Sequence, residues 1–573
     1  MDSEELIAVF NGLIVEHNVI LKVNELPASI KSPIALDVEH DESGNFVGVG
    51  FSSDGVTVWY YSDLQLLRSL DFSAVSLICH NGRTDFDCLR SWGIDVKDNQ
   101  LYHDIELYAH IIDSSRHGYG LKSLAETELG IIYPSYNDIV GKRTFKQVKE
   151  RKTLDQQPLE LVAKYNALDV IATWKLYERQ RNPGVCAPAV QYFEEIERPV
   201  AFILQAMENR GICLDLNYLT ALKVVLEQKI KPIQESIKNE LGNINLNSPK
   251  QLLEALNAKD IRPVFKGKAS TDKRALEAWK EQPVVSALFQ YSEISTLLSS
   301  FVESYLERGQ KIVHPWFNQC GTRTGRLSCS NPNLLQIPKK TENGKLVRRM
   351  FTARPGMLLG DCDFGQIEPR VLAHLSKDPV LCQLFNDGTD FHDFTARRLG
   401  ISRDRAKVLN LSVGYRATKY SVQRQLGGTL EEAQQEIDKW WNLFPQLRRF
   451  QDTLIYTAKQ SGFCTTFMGR RIKIDGLIDG NGWKREAAER QLINNITQGS
   501  AAEIMKMAMI KIHKTAPNLG ILVQVYDELL FEAPEYEIED ASTWVKLCME
   551  EALKLDVLLT VDCKIGPNWA DCK

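Results

Sequence analysis

Two acidic segments, each set where an apolar run ends, constrain this chain more than any other feature. Asp363-Phe364-Gly365-Gln366-Ile367-Glu368 follows Met357-Leu358-Leu359, and Tyr526-Asp527-Glu528 lies between Ile521-Leu522-Val523 and Leu529-Leu530-Phe531. Short apolar runs of this kind read as buried strands. A carboxylate at the end of a buried strand is costly unless a cation meets it, so Asp363 and Asp527 call for a metal or an Arg/Lys partner. Two such strands side by side would form a carboxylate platform for a pair of Mg²⁺ ions, an arrangement suited to phosphoryl transfer on nucleic acid.

A chain of 573 residues exceeds one core and suggests three or four folding units. The net charge of −5 exerts no global pull on a polyanion, so nucleic-acid contacts have to come from local basic clusters. Twelve cysteines without a C-x-x-C pair argue against a zinc site and a disulfide framework, and for small buried residues in a reducing compartment. The acidic start Met1-Asp2-Ser3-Glu4-Glu5 is unlike a secretory or organellar leader. No apolar run approaches the roughly 18 residues of a membrane span. A cytoplasmic enzyme is expected.

Between about 30 and 190, short strand-like runs (Ile34-Ala35-Leu36; Val47 to Phe51; Val56 to Trp59) alternate with helical stretches, an α/β pattern. A turn-rich break at 181–185 closes it. Residues 191–310 are almost wholly helical in period. From 311 onward, strand-like segments near 311–317, 357–362, 521–526 and 529–533 bracket a helix-rich insert at about 385–490.

In Ile34-Ala35-Leu36-Asp37-Val38-Glu39 the two acids sit two apart on a strand and share a face, where they repel unless a cation binds. A solvated strand end is the alternative. Asn81-Gly82-Arg83-Thr84-Asp85 adds a third acid, with Asp87 as a substitute, although the spacing from Asn81 favours Asp85. Tyr165 and Asp169, at i and i+4, share a helical face. Together and in this order, the segments resemble the motifs of proofreading 3′–5′ exonuclease domains attached to DNA polymerases. The resemblance implies that Asp37, Glu39, Asp85 and Asp169 hold two divalent metals and that Tyr165 positions the attacking water.

The carboxy-terminal segments also occur in a set order. Gly321-Thr322-Arg323-Thr324-Gly325-Arg326-Leu327-Ser328 precedes Asn331 to Pro338 and Lys340; then come the Asp363 segment, Arg403-Asp404-Arg405-Ala406-Lys407 running on to Tyr415, Arg490 to Gln498, and Tyr526-Asp527-Glu528. In helical projection Arg403, Lys407, Leu411 and Tyr415 form one slanting stripe, which offers two cations for a triphosphate and a ring to stack beside a base. A solvated basic face is the bland alternative. This order resembles the family A DNA polymerases over residues 191–573.

The resemblance implies a multidomain α/β fold: an RNase H-like, DEDDy-type exonuclease domain at 1–190, then a right-hand polymerase domain at 191–573. The thumb would span about 200–310, the palm about 311–385 and 490–573, and the fingers about 386–489. No 5′-nuclease domain is expected. Asp363 and Asp527 become the metal-binding aspartates, with Glu528 in support and Lys407 stabilising the departing pyrophosphate. Glu368 becomes a steric gate against the ribose 2′-OH, its alternative being a surface salt bridge to Arg370. Gln366 and His392 contribute to nucleotide binding. Arg326, Arg490, Asn494, Gln498, Tyr526 and Lys340 face DNA. Mg²⁺, two ions in each site with Mn²⁺ as a substitute, primer-template DNA and dNTPs are the implied cofactors and partners. The expectation is a monomer in a bacterial or phage-infected cytoplasm, with any processivity or replisome partner left open.

Several positions depart from the common family form. Leu411 stands where an aromatic ring is usual, Ser412 and Arg416 replace glycines, Tyr526 replaces a His, and Asp361 adds an acid on the strand face of Asp363.

Overall fold

The computed structural model describes residues 2–141, 153–181, 183–265, 267–339 and 341–572. Its first layer is a sheet of β1 (Ile20–Val23), β2 (Ile34–His40), β3 (Phe46–Ser52), β4 (Thr57–Tyr61), β5 (Leu77–Cys79) and β6 (Leu101–Asp104), in the order β1-β4-β3-β2-β5-β6. β3 runs antiparallel to both neighbours, while β2, β5 and β6 are parallel. The helix Leu159–Gln180 lies on this sheet. It is buried from Leu161 through Thr173, polar Lys164, Asn166 and Asp169 included. Helix and sheet approach closely at Gly50 of β3, where a Cβ would stand 1.8 Å from Asn166 Oδ1. Only glycine fits, and Asn166 thereby reaches the acids of β2.

A helix, Pro183–Tyr192, begins within the break expected at 181–185, of which residue 182 lies outside the described residues. Tyr192, Phe193, Ile196 and Phe202 belong to the same hydrophobic core as the first sheet, which therefore reaches past residue 190.

Beyond it, the helix Leu216–Leu241 starts at Asp215, whose carboxylate accepts the Tyr218 N–H at 2.9 Å. Its apolar stripe Leu219, Leu222, Leu226 and Ile230 joins the helix Pro283–Leu297 and the main carboxy-terminal core. Ile237 serves a separate core at the far end with Leu252, Leu256 and Val285. This region is helical as expected, apart from short strands such as Ile212–Leu214.

The central sheet is β7 (Met357–Phe364), β8 (Gly520–Val525), β9 (Glu528–Pro534) and β10 (Val561–Gly566), antiparallel in the order β8-β9-β7-β10. β7 is thus flanked on both sides, and its middle is buried. Gly360 admits Phe531 across the sheet; a Cβ there would lie 2.3 Å from that ring. The 34-residue helix Gly482–Thr515 adds Ile504, Met505, Ala508 and Met509 to this core. Between β7 and that helix lies a helical cluster around Trp440, Trp441, Phe444 and Leu409. Among the described residues no helix is long and apolar enough to cross a membrane.

Two expectations are corrected here. Cys362 of β7 and Cys563 of β10 are register partners and form a disulfide, 201 residues apart in sequence. Motif spacing could not reveal a pair made by strand register. The Arg403–Tyr415 stripe is also not one continuous α-helix: the helix spans Arg403–Ser412, and Tyr415 closes a 3₁₀ turn, Val413–Tyr415, before Arg416 at φ +60°. Arg416, where glycine is usual, still adopts the left-handed backbone that glycine favours.

A buried ionic group joins the two halves. Glu197 accepts from Arg470 Nη2 at 2.5 Å, from Lys506 Nζ at 2.7 and 2.9 Å, and from Gln319 Nε2 at 2.6 Å. All three charged residues are at most 2% exposed. Burial pushes the Glu197 carboxyl up, but the Lys506 ammonium and Arg470 guanidinium outweigh it and hold it at about 2. Arg470 Nη1 also lies 3.0 Å from His110 Nδ1, and His110 Nε2 lies 2.8 Å from Thr322 O. A guanidinium only donates, so Nδ1 accepts and the Nε2–H is directed at Thr322.

Candidate active sites

In the first half, Asp37 and Glu39 of β2 meet Asp169 of the helix Leu159–Gln180, with one carboxylate oxygen from each within 4.8 Å of the others. Asn166, one turn before Asp169 on the cluster side, donates Nδ2 to Asp37 Oδ2 at 2.8 Å. Lys122 pairs with Asp169, which also accepts the Tyr133 hydroxyl at 2.6 Å. The Lys122 ammonium sits 4.1 Å and 4.3 Å from the ring centres of Tyr133 and Tyr165. Burial, then the Asp169 charge, pushes Asp37 well above the carboxylate range; Glu39 is raised by burial and then by Asp37. Tyr165 is raised by burial and by Asp169, so its hydroxyl keeps its proton as a donor.

Asp85 stands outside the tight three-acid group. Burial and then Asp37 raise its carboxyl, and its Oδ2 is buried with no hydrogen-bond partner among the described residues. Asp87, the alternative, is exposed and accepts from Asn209 Nδ2 at 3.1 Å. The buried position belongs to Asp85.

In the second half, Asp363 on β7 pairs in register with Glu528 on β9. Asp527 occupies the turn between β8 and β9, and its carbonyl accepts the Phe364 N–H at 3.0 Å. The two aspartates therefore converge, as their apolar flanks require. Burial first, then the Asp363 charge, raises Asp527 to about 6. Glu528, 1% exposed, accepts from Arg348 Nη1 at 3.0 Å and Trp569 Nε1 at 2.9 Å. Lys339 bridges the acids, with Nζ 2.6 Å from Asp363 Oδ2 and 2.9 Å from Glu528 Oε2. Asp363 Oδ1 is buried and has no hydrogen-bond partner among the described residues. Asp361 is buried two residues before it on β7.

The salt bridge between Glu368 and Arg370 is not formed. Arg370 turns its Nε to Gly365 O at 2.7 Å and its Nη1 to Leu558 O. Glu368 instead accepts the Tyr415 hydroxyl at 2.6 Å and pairs with Arg326. Arg326 also lies 5.6 Å from the Tyr526 ring centre, and Tyr526 holds a left-handed φ of +59°. Gln366 precedes the helix Ile367–Ser376 in a left-handed conformation, φ +53°, and makes no side-chain capping bond to it. On the helix Arg403–Ser412, Arg403 pairs with Asp390 at 3.2 Å and Asp393 at 2.8 Å, while Lys407 and Leu411 are exposed. His392 is buried and accepts Asn410 Nδ2 at 3.0 Å; burial lowers its pKa. Arg490, Asn494 and Gln498, spaced by four residues, stripe the helix Gly482–Thr515. Lys340 lies outside the described residues.

Lys339, Arg348, Lys122 and Tyr133 reach the acids without having been singled out. Lys339 and Lys340 are visible as a basic pair after Ile337-Pro338, but nothing marks Lys122 or Tyr133, which lie more than 80 residues from the acids of β2.

The carboxylate-only oxygen sets fit hard divalent cations such as Mg²⁺ or Mn²⁺, and the orphaned oxygens of Asp363 and Asp85 are where such ligands would be expected.

Comparison with known proteins bears on both halves. The family model described as DNA polymerase family A matches residues 216–571, and that of the RNase H superfamily matches residues 64–180. DNA polymerase I of Chloroflexus aurantiacus is 34% identical over 520 residues, covering 86% of this chain and 54% of that protein. DNA polymerase I of Bacillus subtilis is 35% identical over 507 residues, covering 85% and 56%. The chain thus spans about half the length of these relatives. Among solved structures, the POL domain of Pol1 from M. smegmatis, in complex with DNA primer-template and dNTP, matches with a TM-score of 0.80 at 27% identity, over 100% of this chain and 99% of that one.

Proposed function

Because the chain belongs to DNA polymerase family A, we propose that it extends a primer 3′ end on a DNA template with deoxynucleotides and removes misinserted ends by 3′–5′ exonuclease action. The observation that carries this reading is the convergence of Asp363, Asp527 and Glu528 at adjoining strand ends, within one chain that also gathers Asp37, Glu39 and Asp169. Asp363 and Asp527 would hold two Mg²⁺ ions, and Asp37, Glu39, Asp85 and Asp169 two more. When bound, such ions activate the attacking oxygen and stabilise charge on the leaving one.

The remaining steps belong to side chains. Arg403 and Lys407 meet the triphosphate, and Lys407 stabilises the departing pyrophosphate. Arg403 is then exchanged from Asp390 and Asp393 onto phosphate. Glu368, held by Tyr415 and Arg326, closes the space a 2′-OH would need. Gln366 and His392 complete the nucleotide pocket, the latter as a neutral ring fixed by Asn410. Arg326, Asn494 and Gln498 face minor-groove acceptors, which lie alike in every base pair, so these contacts test shape rather than sequence. Arg490 and Tyr526 line the same side, and Lys340 is assigned to DNA by sequence alone. In the exonuclease site Tyr165 donates to the attacking water.

The protein would act as a monomer in a bacterial or phage-infected cytoplasm. Extension of a primed template with Mg²⁺ and dNTPs tests the reading. Extension and, without dNTPs, primer shortening are expected; failure of both would overturn it.

A further inference from the structure

Three carboxylates crowd the end of the central sheet, and the fixed positive charge beside them is Arg348. That guanidinium is buried, hydrogen-bonded to Glu528 at 3.0 Å and stacked 4.2 Å over the Trp569 ring. It cannot leave without stranding its own charge and that of Glu528. Arg326 is committed to Glu368 on the neighbouring side. Among the described residues Asp363 and Asp527 thus share no permanent counter-ion, and Asp527 is raised by burial as well as by their mutual repulsion.

Lys339 differs from Arg348 in every respect that matters for exchange. Its side chain is 36% exposed, it follows the short 3₁₀ turn Leu334–Gln336 whereas Arg348 belongs to the helix Glu342–Arg348, and its ammonium has a flexible stem. Its Nζ is 2.6 Å from Asp363 and 2.9 Å from Glu528, a span that a divalent ion ligated by Asp363 would contest.

We propose that Lys339 is a displaceable internal counter-cation of the polymerase carboxylates: it neutralises Asp363 and Glu528 before metal arrives and gives way as metal binds, so that it sets how much metal the site requires. Lys339 is a positioning residue here and takes no part in bond making. The inference rests on reading Asp363 and Asp527 as metal ligands, so its test has to separate the two.

The test is Mn²⁺ binding, read as free Mn²⁺ by electron paramagnetic resonance, on the full chain carrying Asp37→Ala and Asp169→Ala so that the second acidic site is silent. In this background Lys339→Met and Lys339→Gln should both bind Mn²⁺ about tenfold more tightly, the order expected on removing one half-screened charge beside the ligands. Lys339→Arg, which keeps the charge, should stay within about twofold of the parent. Unchanged or weaker binding in both neutral variants, with the parent binding normally, overturns the role of Lys339 alone. No Mn²⁺ binding in the parent overturns the metal reading and this inference with it.

Discussion

The Tyr415 hydroxyl donates to Glu368 at 2.6 Å, joining the 3₁₀ turn Val413–Tyr415 to the strand–helix junction that carries Asp363. Burial and the Glu368 charge raise the Tyr415 pKa, so the phenol remains a donor. A hydrogen bond to a charged acceptor is worth about 1.5–3 kcal/mol, enough to hold a side chain in one rotamer. Glu368→Ala should therefore lower discrimination against ribonucleotides by about tenfold or more, and Tyr415→Phe by less. Competitive insertion of rNTP against dNTP measures both; unchanged selectivity in Glu368→Ala would remove the gate.

Leu411 is 52% exposed on the face that bears Arg403 and Lys407. A branched aliphatic side chain offers no ring to a nucleotide, and base–aromatic stacking is worth roughly 1–3 kcal/mol. Leu411→Phe should shift the dideoxynucleotide-to-deoxynucleotide preference by about fivefold or more. Single-turnover insertion of the two analogues checks this, and equal ratios in parent and variant would contradict it.

The two acid clusters stand on different sheets, so their losses should separate. Asp527→Ala should cut extension roughly a thousandfold while leaving primer degradation, and Asp37→Ala should do the reverse. Loss of both activities from either change would contradict two independent sites.

His110 is buried beside Arg470, and burial first, then that guanidinium, lowers its pKa well below the usual histidine value. The unfolded chain therefore takes up a proton near pH 6.5 that the folded chain refuses. Stability contributed by neutral His110 is present above about pH 6.5 and is lost as pH falls, at about 1.4 kcal/mol per pH unit. His110→Asn should be less stable than the parent at pH 7.5 and should show a shallower decline towards pH 5.5. Parallel melting curves across that range would show that His110 is not the group responsible.

Cys362 and Cys563 cross-link strands 201 residues apart, and chain-entropy reasoning places the stabilisation at about 5 kcal/mol at most. Reductant should lower the melting temperature of the parent, yet leave Cys563→Ser unmoved. Equal sensitivity of the two proteins would indicate that the bond does not form in solution.

The convergence of Asp363 with Asp527 was legible because each follows an apolar run, and that of Asp37 with Glu39 because strand alternation puts both on one face. Glu368 was legible by position but not by partner: Tyr415 and Arg326 lie 47 and 42 residues away, and their contact depends on how helix and loop pack. The same limit hid Lys339 and Lys122, whose surroundings in sequence are ordinary. Cys362–Cys563 needed the register of β7 against β10, which no residue type announces. The 3₁₀ closure at Tyr415 escaped because helical projection extends a period past the point where Ser412 ends the helix.

The knot of Glu197, Arg470 and Lys506 bears on how proofreading would be organised. Pulling the amino-terminal sheet away from the long carboxy-terminal helix would maroon three ions in apolar surroundings, and breaking even one such buried pair costs about 3–5 kcal/mol. A hinge that swings one catalytic centre towards the other is therefore the expensive route. If the chain proofreads as proposed, a frayed strand rather than the protein would commute between the two acid clusters.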